Sequence, residues 1–332
     1  MKKKSIVICI IYSLFFITSY SCNKNTPVKK EEEPDKLIPL NGLLFKSGIF
    51  AMHKEAEVMK WEQNRGAEVA VIAVAPGRES WNNLQNTWFM DAQCIPVGYK
   101  GTLNIAMPMW PEDGKAEDAF KGNYNAEWEK FGRSVAAKYP DAYIRIGWEM
   151  NINDWYFKAT PETAEQWKQA FIHAVNSLRK ASSKFRIVFN PNAGPGQTGT
   201  EDATIFYPGD QYVDLIGIDA YDWWPGYTSE QNIAYHRDQK YGWNWWLDFA
   251  KKHNKKFCLP EWGIAAANPN SGGDNPMYIN FVYSWLKQNK DWIEFECYFH
   301  ETDNYLRSDL FTGYNPKATA EYKRWMPLLK KQ

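Results

Sequence analysis

The sequence predicts a single (β/α)₈ barrel, on three observations. Apolar strand-like runs alternate with helix-like stretches along most of the chain, and such alternation implies a parallel sheet covered by helices. Residues 41–332 are enough for one barrel, for which about 250 residues is typical. No Gly-rich phosphate loop follows a strand, as it would in a doubly wound dinucleotide-binding sheet.

Residues 47–52 read as the first strand and 54–65 as a helix. Residues 68–75 and 102–107 are apolar strands. Residues 125–139 have helical spacing, with Trp128, Phe131 and Val135 on one face. Residues 143–148 form the fourth strand. Thr160 as cap and Pro161 at the first position open a helix that runs to 181. Residues 185–189 and 213–218 are short β-branched strands. Residues 242–253 read as helix, 257–259 as strand and 277–289 as helix. The last strand covers 292–299 and the closing helix 317–329.

The N-terminus divides from this domain. Lys2, Lys3 and Lys4 precede an apolar stretch from Ile6 to Ile17, which is too short for a membrane span. Residues 1–21 therefore read as a secretory signal. Ser19-Tyr20-Ser21 ahead of Cys22 resembles a bacterial lipoprotein signal, which implies a lipid on Cys22 and export to a membrane surface; an ordinary signal peptide with a chance cysteine is the alternative. Residues 22–40, with a run of charges from Lys29 to Lys36, read as a disordered tether. Membrane contact is expected only through that lipid.

Lys+Arg and Asp+Glu balance at 39 each, so no electrostatic footprint for nucleic acid is expected. Aromatic residues make up 16% of the chain, with 17 Trp. Part of this is core packing. Many of the tryptophans, however, stand beside Asn, Asp, Gly and Pro. Flat rings stack on the C–H faces of sugars, so a Trp-rich cleft fits a polysaccharide or oligosaccharide partner. Cys94, Cys258 and Cys297 are an odd set with no close pairing, and no Cys/His spacing resembles a zinc site. No metal or cofactor is expected, and a monomer is.

Two carboxylates carry the chemistry. Glu149, in Arg145-Ile-Gly-Trp-Glu-Met-Asn151, follows the fourth strand. Glu261, in Leu259-Pro-Glu-Trp-Gly263, follows the seventh. In a barrel both would reach the mouth, where active sites lie. Cleaving a glycosidic bond needs one carboxylic acid to protonate the leaving oxygen and a second carboxylate to attack the sugar or activate water. The structural alternative is a Glu149 held by Arg145 in an ion pair and a Glu261 in a surface turn.

These motifs resemble glycoside hydrolase family 26, the β-mannanase family of the large retaining (β/α)₈ clan. Arg145 four residues before Glu149, then Met150-Asn151, is similar to that family's Arg-x-x-His-Glu-Met-Asn motif. Trp155 stands where an aromatic follows it. Phe189-Asn-Pro-Asn192 resembles the motif after strand five. The stretch from Tyr207 through Asp219 to Tyr221 resembles the sixth-strand signature, and Leu259 to Gly263 the nucleophile motif. The resemblance implies Glu149 as acid/base and Glu261 as nucleophile of a retaining, endo-acting enzyme on a β-linked polysaccharide, with Tyr221 donating a hydrogen bond to Glu261. It departs at Trp148, where the family has His, and at Trp262, where Phe is common. The first departure leaves open a second reading, a surface lipoprotein that holds polysaccharide on a barrel without cutting it.

Expected substrate contacts are Arg145, Trp148, Trp155, Asn192, Tyr221, Trp223, Trp224, Trp262 and His300. His53, ending the first strand, is a similar candidate to His300. Trp243 is a candidate platform, Trp245 and Trp246 read as core, and Asp219 reads as a barrel-layer or capping residue. Glu294 and Glu296 alternate with apolar neighbours and read as structural groups facing the barrel interior.

Overall fold

The computed structural model describes residues 37–332. The expected secretory signal, Cys22 and most of the expected tether lie outside the described residues. The end of the predicted tether does not. Ile38 forms a parallel bridge to Ala67, and Leu40 N–H donates to Glu68 Oε2 at 2.9 Å. Leu40 also packs against the barrel's inner cluster. Residues 38–40, assigned to the tether from the sequence, therefore belong to the folded domain, because Leu37-Ile38-Pro39-Leu40 has apolar surface to bury.

Eight parallel strands close in chain order: β1 (Lys46–Phe50), β2 (Val71–Val74), β3 (Thr102–Met107), β4 (Tyr143–Ile146), β5 (Arg186–Phe189), β6 (Leu215–Tyr221), β7 (Lys256–Gly263) and β8 (Ile293–Phe299), with β8 pairing back onto β1. Outside them lie α1 (Glu55–Arg65), α2 (Trp81–Gln85), α3 (Ala116–Phe120), α4 (Asn125–Ala136), α5 (Ala164–Ala181), α6 (Glu230–Asp238), α7 (Trp243–Lys252), α8 (Pro276–Gln288) and α9 (Pro316–Leu328). The predicted (β/α)₈ barrel is the observed fold.

Strand alternation sorts side chains into two cores. Val71, Ala73, Tyr143, Val188, Leu215, Cys258, Phe295 and Cys297 fill the barrel interior. Ile144, Ile216, Ile218, Leu259 and Tyr298 face outward with the buried faces of the helices. The interior is tight enough to need glycine at Gly48, where a Cβ would stand 2.2 Å from the Val71 carbonyl oxygen. Cys94, Cys258 and Cys297 are buried and unpaired.

One irregularity sets the site. Gly217 pairs with Cys258, but Asp219 pairs with Glu261, so β7 carries an extra residue over this step. The extra residue falls around Pro260, which has no N–H to give the ladder. Its carbonyl instead accepts from Asn104 Nδ2 across the barrel at 3.0 Å. Cys258 faces inward, and strict alternation would turn Glu261, three residues on, outward; the bulge turns it back to the mouth.

Candidate active site

Glu149 and Glu261 line one cavity of about 580 Å³ at the strands' C-terminal end. Glu149 is reached through a sharp turn after β4, where Gly147 and Glu149 both take left-handed backbone angles, φ 57° and 51°. That conformation costs a non-glycine residue on the order of 1 kcal/mol. The Glu149 N–H donates to the Asn190 carbonyl at 2.7 Å, which holds the turn.

The side chain of Glu149 meets only neutral donors. Asn192 Nδ2 donates to Oε1 at 2.6 Å and Trp155 Nε1 to Oε2 at 3.1 Å. Asn192 is fixed in turn by Asn151. Its N–H donates to Asn151 Oδ1 at 2.8 Å, and Asn151 Nδ2 donates to the Asn192 carbonyl at 2.9 Å. The Glu-Met-Asn and Asn-Pro-Asn motifs thus lock together to aim one amide at one carboxyl. Trp148 packs against Trp155 and Phe157, with ring centroids 4.8 and 5.0 Å away. Burial, then the charge of Glu261, pushes Glu149 up to about 7, against the opposing pull of Asn192 and Trp155.

Glu261 meets a cation. Arg145 donates to its Oε1 at 2.6 Å, and to Asn190 Oδ1 and Asp219 Oδ2 at 3.1 Å each. Tyr221 O–H donates to Glu261 Oε2 at 3.0 Å. Arg145 is buried at the cavity that Glu149 and Glu261 line, where its guanidinium engages Glu261, Asp219 and Asn190. It is not the ion-pair partner of Glu149. Asp219, expected as a barrel-layer group, is the second carboxylate on this guanidinium.

Of the other expected contacts, Trp148, Trp155, Asn192, Tyr221 and Trp223 border the cavity. Trp224 borders a neighbouring one. Trp262 does not reach either. It is fully buried, and its Nε1 donates to Glu296 Oε2 at 2.6 Å behind the barrel wall. His300 is also turned away. It packs on Trp61 of α1, its Nδ1 accepts from Leu310 N–H at 3.2 Å, and burial lowers it to about 4. Both errors have one cause: next to an inward residue, Glu261 or Phe299, alternation turns a strand residue outward. Trp243 is buried core, donating to the Tyr227 hydroxyl at 3.0 Å. Glu296 faces outward into the helix layer rather than into the barrel. Glu294 takes a hydrogen bond from Tyr143 O–H at 2.7 Å at the strands' opposite end.

His53 lines the cavity, accepting from Ala75 N–H through Nε2 at 3.1 Å. Phe50 and Phe299, stacked at 4.4 Å, Trp88, Arg78 and Tyr305 also line it, and none was singled out from the sequence. Inward parity at the ends of β1 and β8 was the available signal for the two phenylalanines. Arg78, over the Trp155 ring at 5.2 Å, sits in a loop with no such pattern.

The model for glycosyl hydrolase family 26 matches residues 142–239, a stretch that holds Arg145, Glu149, Asn192, Asp219 and Tyr221 and ends before Glu261. Endoglucanase H of Acetivibrio thermocellus is 25% identical over 236 residues, 66% of this chain; the chain spans about a quarter (24%) of that relative. Two solved structures share the fold. The catalytic domain of a Bacillus sp. JAMB-750 GH26 endo-β-1,4-mannanase is 18% identical with a TM-score of 0.58, covering 81% of this chain and 78% of that one. GH26C from Muricauda sp. MAR_2010_75 is 17% identical with a TM-score of 0.59, covering 87% and 86%. The motifs, the matched segment and the barrel agree, and the chain is glycoside hydrolase family 26-like.

Proposed function

We propose that this chain hydrolyses internal O-glycosyl bonds of a β-linked polysaccharide with retention of configuration. The observation that carries the reading is that Glu149 and Glu261 face one cavity in unlike surroundings. Glu149, raised to about 7 among aromatic rings and neutral donors, is suited to hold a proton and give it to the glycosidic oxygen. Glu261, gripped by Arg145 and Tyr221, is suited to attack the anomeric carbon. The C–O bond to the leaving sugar breaks as the bond to Glu261 forms, and the departing oxygen takes the proton of Glu149. Glu149 then removes a proton from water, which attacks the same carbon and frees Glu261. Phe50, Trp88, Trp155 and Trp223 supply apolar faces for sugar rings.

The test is digestion of a β-glycan panel by the chain and by Glu261→Gln, with products read by mass and the first anomer by NMR. The reading expects shortened oligosaccharides of retained configuration from the parent and none from the variant. Trp148, which brings an indole to the position of the family's His, favours the second reading of a polysaccharide-holding protein. Binding without new reducing ends would decide for it. We also propose that Cys22 carries the lipid of an exported, membrane-tethered monomer. Labelled palmitate should enter the parent and not Cys22→Ser, and light scattering should give the mass of one chain.

A further inference from the structure

The balance of 39 basic and 39 acidic residues hides a separation of charge. In a parallel barrel the helix-to-strand connections lie at one end, the base, and the strand-to-helix connections at the other, the mouth. Six exposed lysines belong to the base. Lys100 precedes β3, Lys138 precedes β4, Lys184 precedes β5 and Lys256 opens β7, while Lys330 and Lys331 follow α9. At the mouth the exposed charges are mostly carboxylates, among them Glu79, Glu112, Asp113, Asp154, Glu162 and Asp303. The chain is neutral in sum and polar from end to end.

The base is basic in effect as well as in number, because its carboxylates are engaged within the fold. Glu68 accepts the Leu40 N–H and Asp141 the Thr102 hydroxyl. Asp210 faces His253, Asp214 faces Arg179, Asp291 faces Lys290, and Glu294 faces Lys46. None of the six lysines has a carboxylate within 4.0 Å among the described residues. Lys138 and Lys256 donate to the carbonyls of Met90 and Asp291, at 3.4 and 2.5 Å, and a carbonyl leaves their charge uncompensated. Two aliphatic side chains stand out among these cations. Val97, 88% exposed, lies three residues before Lys100, and Leu328, 43% exposed, two before Lys330.

The chain also enters the domain at this end. Ile38 bridges to Ala67, in the connection between α1 and β2, so the segment before Leu37 is covalently joined to the base and not to the mouth.

We infer that the base docks on a membrane surface bearing anionic phospholipid, as a contact of the folded domain additional to any lipid on Cys22. This rests on the reading of an exported, membrane-tethered chain. The unpaired lysines meet the headgroup phosphates, and Val97 and Leu328 lie against the boundary of the acyl region. The lysines are spread around a broad end rather than lined along a groove, which suits a planar partner better than a single polyanionic strand. A lipid anchor would set only the domain's distance from the bilayer; the charge separation sets its orientation. A negative surface attracts the base and repels the mouth within the roughly 8–10 Å over which salt leaves such forces effective. The cavity of Glu149 and Glu261 then opens away from the bilayer, toward polymer in solution.

The experiment uses residues 37–332, which lie in one compact unit that closes its own barrel, without the preceding apolar stretch, which would itself enter lipid. Flotation is followed with vesicles of phosphatidylcholine alone and of phosphatidylcholine with phosphatidylglycerol. One variant combines Lys100→Gln, Lys184→Gln, Lys330→Gln and Lys331→Gln. A control combines Lys54→Gln and Lys115→Gln, at two exposed lysines of the mouth. All six side chains are exposed, and unfolding temperatures check that each fold is intact. The inference expects binding to the phosphatidylglycerol vesicles only, fading as salt rises. At about fivefold per lysine, the four base substitutions should weaken it about a hundredfold or more, and the control should bind as the parent does. Absence of binding to those vesicles overturns the inference, as does equal binding to phosphatidylcholine alone or equal weakening by the control. Retention by soluble dextran sulfate without binding to vesicles overturns it in favour of an anionic polymer. The export reading fails separately, in the palmitate labelling of Cys22, so the two failures are distinguishable.

Discussion

Glu149 and Glu296 are both buried, both accept a hydrogen bond from a tryptophan indole, and both are pushed up to about 7 by burial. Only one of them faces a cavity. Glu149 borders the space at the barrel mouth, across from Glu261. Glu296 is sealed between β8 and the helix layer, where Trp262 donates to Oε2 and Oε1 finds no partner. A perturbed carboxyl beside an aromatic ring is therefore not by itself a sign of chemistry. Access and a facing second carboxylate make the difference.

The largest effect expected from this contrast is kinetic. Glu149→Gln should lower polysaccharide turnover by about 10³-fold, the usual weight of a positioned acid. Glu296→Gln should leave turnover within about threefold at a temperature where the fold is intact. Comparable losses in steady-state assays of the two variants would erase the distinction.

Stability should respond in the opposite sense. The folded state keeps a proton on Glu296 between pH 4.5 and about 7, where the unfolded chain has released it. A raised carboxyl favours folding at the acid end of that window, and the contribution is lost as pH rises through about 7. Glu296→Gln removes this slope. Relative to the parent it should gain on the order of 3 kcal/mol of unfolding free energy between pH 4.5 and pH 8. Denaturant titrations at both pH values measure the change, and parallel curves would contradict it.

Smaller effects sharpen the roles of the two indoles. The hydrogen bond from Trp155 lowers Glu149. Trp155→Phe should therefore move the alkaline limb of kcat/KM, near pH 7 in the parent, to higher pH, with roughly a tenfold loss of rate from the misaligned acid. A limb that moves down or stays fixed would remove that indole from the account. Trp262→Phe should leave the pH profile unchanged and cost about 1 kcal/mol of stability, the price of an unpaired Glu296 oxygen. Calorimetry with a kinetic control reads both.

The barrel was legible because its eight strands are apolar runs separated by helices with clear faces, as at Trp128, Phe131 and Val135. That Glu149 and Glu261 reach one cavity was legible because a charge ending an apolar strand is rare. Short α2, α3 and the polar α6 were not read, since five to nine residues with few apolar positions leave little periodicity to find. Of the cavity that Trp224 borders, Asn192, Tyr221, Trp223 and Trp224 were named from the sequence, while Tyr235 and His236 went unread with α6. Trp262 and His300 were misplaced by adjacency: a residue next to a site residue in a strand points the other way. The β7 bulge hid a further point, because counting back from Glu261 in twos does not lead to Cys258, the inward residue below it.

The most direct test of the central claim is to trap the glycosyl-enzyme with a fluorinated glycoside of the cleaved sugar and locate the label by mass spectrometry of peptides. The account predicts one glycosyl group per chain, attached to Glu261 and formed as activity is lost. A label on another carboxylate, or full inactivation with Glu261 unmodified, would contradict it.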